Sequence, residues 1–345
     1  EVENEKIEEI RFETEWNESI ACFKCLKCLS KYQNSITTTF FIEYLTKNEL
    51  NFISLLLVQI IVTSSPHEFV NEHITDFLSL IDQSLALSSE NESIDSNSIV
   101  FIQFSAIKCL RKMVKFFPEN LPLFSQFVEG LISFIENDDE VTQLEVLSTL
   151  SQIFSISLFE EKEKYINLIF ENIENLPPFT SSHAIDSLKP IISTIDEPDF
   201  FIQTIPIVLK LITEAKDEVC FDSLLCFLQI FVINAGESIS PFIPTIMTML
   251  LQFIVENHSV VSILAIGSVS FVSSPELVEP FIDNCFNILY EIIINDGMDD
   301  KSVRNQCLSS LSLIASKFDL SEYLGQIFEL TLRIIQNIEL NEWND

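Results

Sequence analysis

The sequence predicts an all-α fold, in which helical hairpins stack into an α-α superhelix, a right-handed solenoid. Apolar residues recur with a helical period along almost the whole chain, and β-hairpin signals such as Asn-Gly are absent. One helical pattern also recurs about every forty residues. The chain of 345 residues contains only 5 glycines, whereas compact α/β enzymes usually need glycine-rich turns.

The repeated pattern is an apolar helical stripe that opens at nearly constant intervals. The stripe after Val141, for example, consists of Leu144, Leu147 and Leu150. The starts lie near Val100, Val141, Ser182, Val219, Val260 and Val303, so the steps are 41, 41, 37, 41 and 43 residues. A period of this length with two helices per unit is typical of HEAT-type hairpins.

Five hairpins can be placed between Pro118 and Phe318. The first helix of the clearest one spans Leu121 to Ile135, and its second helix follows an acidic turn and spans Val141 to Phe154. The other pairs are Tyr165–Leu176 with Ser182–Ile195, Asp199–Ile212 with Val219–Ala235, Ile239–Val255 with Ser259–Ser273, and Pro275–Ile294 with Val303–Phe318. Prolines are expected at helix starts or early turns, where the missing N–H does least harm.

The remainder is less regular but fits the same organisation. Residues 1–65 form an irregular N-terminal part with helices at Glu18–Tyr32, Thr38–Lys47 and Glu49–Ser64, and His67–Leu87 is a further first helix. The polar, acidic segment Ser88–Ser98 is expected to be a loop. We expect residues 1–345 to form one solenoid of about eight repeats that is a piece of a longer protein.

The charge balance indicates which partners the chain can take. With 52 acidic and 19 basic residues the formal net charge is -33. Nucleic acid is therefore not expected as a partner, because phosphate contacts need clustered Lys and Arg. An acidic surface instead attracts basic proteins. Eight scattered cysteines without a secretory signal indicate a reducing compartment, the cytoplasm or nucleus.

Catalysis and cofactor binding are not expected. Phosphate loops and dinucleotide fingerprints need several closely spaced glycines, and no two glycines lie close together here. The spacing Cys22-x-x-Cys25-x-x-Cys28 resembles part of an iron–sulfur or zinc site, but no fourth ligand lies nearby. We interpret these cysteines as buried in an amphipathic helix, and predict no metal, no cofactor and no enzymatic activity.

One stretch has so few charged residues that its composition also fits a membrane-spanning helix. Between Glu237 and Glu276 the single charged residue is Glu256. The stretch nevertheless contains Pro241 and Pro244 and lacks the basic flanks that usually anchor a spanning helix. A buried pair of helices is the better interpretation, and no membrane is expected as a partner.

Acidic turns followed by a second helix carry a family resemblance. They are Asp139-Glu140-Val141, Asp217-Glu218-Val219 and Asp299-Asp300-Lys301-Ser302-Val303-Arg304. The last one looks most like the HEAT-repeat turn, in which an acidic pair precedes Val-Arg; the other repeats lack that arginine. The repeat style, the acidity and the segment Ile239 to Pro244 are similar to the importin-β (karyopherin-β) superfamily.

The resemblance implies a nuclear transport receptor segment that binds basic protein cargo and phenylalanine-glycine nucleoporins. Ran GTPase is a further implied partner, although the family's N-terminal Ran-binding domain is not recognisable here. The implied location is the cytoplasm and nucleus. The candidate partner-binding residues are the recurring turn acids Asp138, Asp139, Glu140, Asp217, Glu218, Asp299 and Asp300.

Two alternatives stay open at this point. The turn acids can serve as helix caps and solubilising charges instead of a binding surface. The solenoid can also be a scaffold or regulatory subunit of another complex, such as a phosphatase, a ubiquitin ligase or a chromosome-organising assembly.

Overall fold

The computed structural model describes residues 43, 52–87, 96–136, 139–257, 260–295 and 300–342. These residues are helical almost throughout, and none of them lies in a strand. The predicted all-α class is therefore confirmed. The chain divides into two compact units, residues 1–158 and 159–345, which are described one at a time.

The three longest helices in the described part of unit 1, with 13 to 21 residues, occupy the second-helix position of their repeats. The first helices between them are divided into shorter pieces. In chain order the helices are α1 (Phe52–Ser64), α2 (His67–Glu72), α3 (Ile74–Leu85), α4 (Ser96–Phe116), α5 (Leu121–Phe124), α6 (Val128–Ser133) and α7 (Glu140–Ile156). Helix α4 packs against α1 on one side and α7 on the other.

Unit 2 repeats the hairpin scheme with longer first helices. Its helices are α8 (Phe159–Asn172), α9 (Pro178–Ile192), α10 (Pro198–Glu214), α11 (Glu218–Ala235), α12 (Ile243–Asn257), α13 (Val260–Val272), α14 (Pro275–Val278), α15 (Ile282–Asn295), α16 (Lys301–Ala315) and α17 (Leu324–Glu342). The second helices α9, α11, α13 and α16 pack against one another in that order.

Apolar side chains fill the space between these helices. In unit 2, Phe201 of α10 meets Phe231 of α11 edge to face with ring centroids 5.1 Å apart. Both rings are almost completely buried. Burying one such side chain stabilises a fold by about 1.5–3 kcal/mol, so the phenylalanines on the apolar stripes account for much of the stability of the stack.

Several predicted first helices are wrong in one respect, because they are broken. The predicted helix Leu121–Ile135 consists of α5 and α6 with 3₁₀ turns at Ser125–Phe127 and Phe134–Glu136. The predicted helix from Ile239 starts as a 3₁₀ segment, Gly236–Phe242, that contains Pro241. A proline inside a helix removes a backbone donor, and the tighter 3₁₀ turn accommodates that loss over a short stretch.

Other boundaries also differ from the prediction. Helix α9 begins at Pro178, four residues before the predicted Ser182, because proline suits the first helical position. Pro190 and Pro206 lie inside α9 and α10, beyond the helix starts and early turns where prolines are expected. Both are exposed, so water can reach the carbonyl groups that they leave unbonded.

The N-terminal predictions can be compared only in part. Helix α1 agrees with the end of the predicted helix Glu49–Ser64, whereas the helices predicted at Glu18–Tyr32 and Thr38–Lys47 lie outside the described residues except residue 43, which is helical. The predicted helix His67–Leu87 is interrupted at His73. The predicted loop Ser88–Ser98 extends too far, because α4 already begins at Ser96.

Candidate protein-binding surfaces

The recurring turn acids act as N-caps of second helices. The carboxylate of Asp139 accepts a hydrogen bond from the backbone N–H of Thr142 at 3.2 Å. Asp217 Oδ1 accepts from the N–H groups of Val219 and Cys220 at 3.0 and 3.1 Å. Side-chain acceptors here satisfy N–H groups that have no partner within the helix. Asp139 and Asp217 therefore have the capping role that was one of the two alternatives for the turn acids.

Asp300 caps α16 in the same way. Its Oδ1 accepts from the N–H groups of Ser302 and Val303 at 2.7 and 3.2 Å. Glu140 and Glu218 are the first residues of α7 and α11, and both are exposed. Asp138 and Asp299 lie outside the described residues. The candidate acids therefore lie at helix starts in both units, but within unit 2 their helices α11 and α16 are separated by α13.

The start of α11 concentrates negative charge within unit 2. Burial raises the pKa of Asp222, and the neighbouring Glu218 carboxylate raises it further. Burial also raises the pKa of the Cys220 thiol, and Asp217 adds to that shift. Burial is the larger cause of both shifts, and the carboxylates in the first two turns of α11 add to it.

Polar contacts join the second helices of unit 2 to one another. Ser310 Oγ donates to the Ile263 carbonyl at 2.7 Å, and Lys317 Nζ donates to the Phe271 carbonyl at 2.8 Å. The paired residues are 47 and 46 positions apart, so α13 and α16 run parallel. At Gly267 the two helices are so close that a Cβ atom would lie 2.8 Å from the Ser310 Cα.

The second helices of unit 1 are joined by charged side chains. Arg111 Nε of α4 lies 2.7 Å from Glu145 Oε1 of α7, in an ion pair that is not aligned for a hydrogen bond. Lys112 Nζ donates to Gln59 Oε1 of α1 at 2.8 Å. Burial raises the pKa of Glu145, while Arg111, Lys108 and Lys112 lower it. Sequence analysis did not single out these residues, although the segment from Lys108 to Lys115 is locally basic.

Large apolar side chains are exposed on unit 2. Phe179, Val219, Ile233 and Phe271 lie on second helices and are about half exposed, at 46%, 51%, 52% and 51%. Helix α17, which takes the first-helix position of the final repeat, exposes four apolar side chains along one face. They are Leu324, Phe328, Leu332 and Ile335. Apolar patches on a protein surface are common at protein–protein interfaces.

One stretch in the described residues, Glu218–Glu256, is long and apolar enough to cross a membrane. The structure divides it into α11, a 3₁₀ segment and α12. The chain turns at Gly236, where φ is 54°, a conformation that glycine adopts without strain. Leu225, Phe227 and Leu228 of α11 are fully buried against other helices. The stretch is therefore a bent pair of core helices in this fold.

Three of the described cysteines are buried in the core. Burial raises the pKa of Cys109, Cys285 and Cys307 to about 12, so these thiols stay protonated at neutral pH. Among the described residues no group of three or more His, Cys, Asp or Glu side chains could hold a metal ion. Cys22, Cys25 and Cys28 lie outside the described part of the chain.

Comparison with known proteins identifies the fold. No protein-family profile and no curated protein matches the sequence. Among solved structures, the chain is similar to Kap121p bound to Pho4p, with a TM-score of 0.64 and 11% identity over 94% of this chain and 38% of that one. It is also similar to Kap121p bound to Nup53p, with a TM-score of 0.63 and 12% identity over 86% of this chain and 31% of that one.

A third similar structure is the karyopherin Kap121p bound to the SUMO protease Ulp1p. Its TM-score is 0.60, and the identity is 12% over 82% of this chain and 28% of that one. The chain therefore has a HEAT-repeat, importin-β-like fold, as the sequence predicted. It spans about a third of the length of the karyopherin structures that it matches. Identities this low show the fold and do not transfer a cargo.

Proposed function

We propose that this chain is a protein-binding segment of a nuclear transport receptor, which takes basic protein segments at its acidic helix starts. The observation that carries the proposal is the similarity to karyopherin structures across most of the chain. Phenylalanine-glycine nucleoporins and Ran GTPase are the further partners proposed, and the cytoplasm and nucleus the proposed location. Protein-binding solenoids use extended surfaces of this kind.

The start of α11 is the part of the acidic surface with the strongest support. Capping uses Oδ1 of Asp217, whereas a carboxylate offers about four acceptor positions in all. Glu218 is exposed beside it, and Asp222 follows one turn later. A lysine or arginine side chain placed here relieves the repulsion between Glu218 and Asp222 while the cap stays intact.

The apolar side chains nearby give such a partner a second kind of contact. Val219 lies next to Glu218 and is 51% exposed. Carboxylates steer a basic partner and raise its association rate, whereas apolar burial slows its dissociation. A segment in which basic and apolar residues alternate would use both features of α11.

Replacing the acids by their amides tests the role of their charge. Asparagine caps helices about as well as aspartate, so Asp217→Asn, Glu218→Gln and Asp300→Asn together remove charge without removing the caps. The control, Glu174→Gln, Glu279→Gln and Glu291→Gln, changes the net charge equally at exposed positions elsewhere in unit 2. We expect a basic peptide to bind the first variant at least about tenfold more weakly than it binds the unchanged chain, and to bind the control variant as it binds the unchanged chain.

Equal affinity of both variants and the unchanged chain would show that these acids only cap helices and keep the protein soluble. Binding should also weaken as salt rises from about 0.05 to 0.2 M, because screening shortens to roughly a nanometre or less.

Transport itself is tested with the full-length protein. We expect it to retain a phenylalanine-glycine nucleoporin fragment and GTP-locked Ran in a pull-down. Failure of both to bind would exclude a transport receptor and favour the scaffold alternative, a HEAT subunit of another assembly.

A further inference from the structure

The basic residues of unit 1 are concentrated at one place. In its described part, every lysine and arginine lies within eight consecutive residues of α4. They are Lys108, Arg111, Lys112 and Lys115. Such a cluster is unexpected in a chain whose formal net charge is -33. We call these four residues the α4 cationic stripe.

The stripe occupies one face of the helix. A helix advances about 100° per residue, so positions 108, 111, 112 and 115 fall within an arc of roughly 100°. Ala106, Leu110 and Met113 on the opposite face are fully buried. Lys115 is exposed, and Lys108, Arg111 and Lys112 are partly exposed, so the cationic arc coincides with the open face of α4.

The helices on either side do not balance this charge. The sequence of α1 contains no charged residue. Helix α7 contributes two carboxylates, Glu140 and Glu145, of which Glu145 is 8% exposed and already paired with Arg111. With the cap Asp139 included, the second-helix layer of unit 1 therefore holds four cations against three carboxylates, a net charge of about +1.

Other contacts hold the side chains of the stripe in place. Lys112 Nζ donates to the buried Gln59, and Lys108 Nζ lies 6.0 Å from the ring centroid of Phe104. A cation over an aromatic face is stabilised by the electrostatic field of the ring. Part of the conformational entropy of these long side chains is therefore lost before any partner arrives.

From this placement we infer that the α4 cationic stripe is a docking site for an acidic protein segment. The stripe is about 10 Å long, since seven residues of helix rise 1.5 Å each. Alternate residues of an extended peptide point the same way about 7 Å apart, so two carboxylates can meet it at once. The inference does not rest on the proposed transport function, which concerns basic partners of unit 2.

The dimensions and the total charge favour a protein segment over nucleic acid. A nucleic acid carries a long run of phosphates, whereas the stripe offers four cations in a chain whose formal net charge is -33. A short acidic peptide brings its charge only where the cations lie. Recognition of acidic motifs by clustered basic residues is a recurrent mode of peptide binding.

The test is a titration of the full 345-residue chain with a fluorescein-labelled peptide of alternating glutamate and serine. The stripe variant carries Lys108→Gln, Lys112→Gln and Lys115→Gln, and retains Arg111 because that residue pairs with Glu145. The matched control carries Lys164→Gln, Lys210→Gln and Lys216→Gln, which are exposed in unit 2 and change the net charge equally. A basic peptide of the same length and an oligonucleotide of the same charge are the competing probes.

We expect the acidic peptide to bind the stripe variant on the order of tenfold more weakly than the control, with a steep dependence on salt. Equal binding to both variants, or no binding to the unchanged chain, would overturn the inference. Tighter binding of the oligonucleotide than of the peptide would overturn it too. If the triple variant does not fold, Lys115→Glu alone replaces it, and a loss of severalfold is then the supporting result.

Discussion

The two units build the same second-helix layer with different chemistry. In unit 1 the layer is joined by charged groups, with Arg111 against Glu145 and Lys112 against Gln59. In unit 2 the contacts end on backbone carbonyl groups, with the Ser310 hydroxyl against Ile263 and the Lys317 ammonium against Phe271. The backbones of α13 and α16 also approach closely at Gly267. One architecture therefore tolerates two kinds of inter-repeat contact, because each repeat packs only against its neighbours.

The difference has a consequence for the surfaces. Helix α4 of unit 1 carries only cations, whereas the second helices of unit 2 carry charges of both signs. Unit 1 accordingly presents a cationic stripe, and unit 2 presents the half-exposed apolar side chains Phe179, Ile233 and Phe271. The acidity of the chain is placed largely on first helices and turns, as in Glu160, Glu161 and Glu163 of α8. Net charge alone therefore describes neither layer.

The largest effect is expected from breaking the charged contact of unit 1. Arg111→Met leaves Glu145 buried without its closest cation, and we expect a loss of about 3 kcal/mol in the free energy of unfolding at neutral pH. The measurement is urea denaturation followed by circular dichroism. Arg333→Met is the control in unit 2, because that residue pairs with Glu329 at the same 2.7 Å but with half of each side chain exposed. That change should cost at most about 0.5 kcal/mol.

The Arg111→Met variant should also respond to pH. Burial raises the pKa of Glu145, and the loss of Arg111 removes the largest of the effects that lower it. A carboxyl whose folded pKa is raised contributes stability that is complete below its ordinary value of 4.5 and is lost as pH rises through the folded pKa. The gap between variant and unchanged chain should therefore narrow on acidification. A gap that widens would contradict this account.

An intermediate effect is expected from crowding the helix contact of unit 2. Gly267→Ala places a methyl group against the backbone of Ser310, which should cost about 1–3 kcal/mol. Gly130→Ala is the matched change in unit 1, where no atom lies within 4 Å of the added Cβ. Alanine is a better helix former there, so that variant should gain up to about 1 kcal/mol. Denaturation midpoints that shift in the same direction would refute the proposed contrast.

The smallest effects concern the caps, which the two units share. Asp139→Ala in unit 1 and Asp217→Ala in unit 2 should each lower stability by about 1 kcal/mol, because N–H groups at the helix start lose their acceptor. The stability of the corresponding asparagine variants should lie within roughly a few tenths of a kcal/mol of the stability of the unchanged chain. Thermal denaturation is sufficient to rank them. An alanine variant as stable as its asparagine counterpart would show that the cap contributes nothing.

Sequence periodicity was sufficient to predict the repeat and its second helices. The second helices α7, α11 and α16 begin where an acidic residue precedes an apolar stripe, since capping and amphipathicity are both local properties. First helices were predicted less well. A periodic pattern continues through the 3₁₀ segments at Ser125–Phe127 and Glu279–Phe281, so the hydrophobic spacing alone does not reveal the breaks.

The candidate surfaces were likewise predicted only in part. Asp139, Asp217 and Asp300 were located from sequence, and their capping geometry was one of the two roles anticipated for them. The α4 cationic stripe was missed, because total charge conceals a local cluster; a charge profile over eight residues would have found it. The pairing of Arg111 with Glu145 depends on how α4 packs against α7, and no local pattern specifies that.

Lys317 connects the end of one repeat to the end of the repeat before it. It follows α16, yet its ammonium group binds the carbonyl oxygens of Phe271 and Ser273 at the end of α13, one hairpin earlier. A fragment cut after Asn295 would retain α13 as a complete helix but expose those two carbonyl groups. Shortened versions of unit 2 should therefore end no earlier than Phe318, so that the end of α13 keeps the ammonium group that satisfies its carbonyl groups.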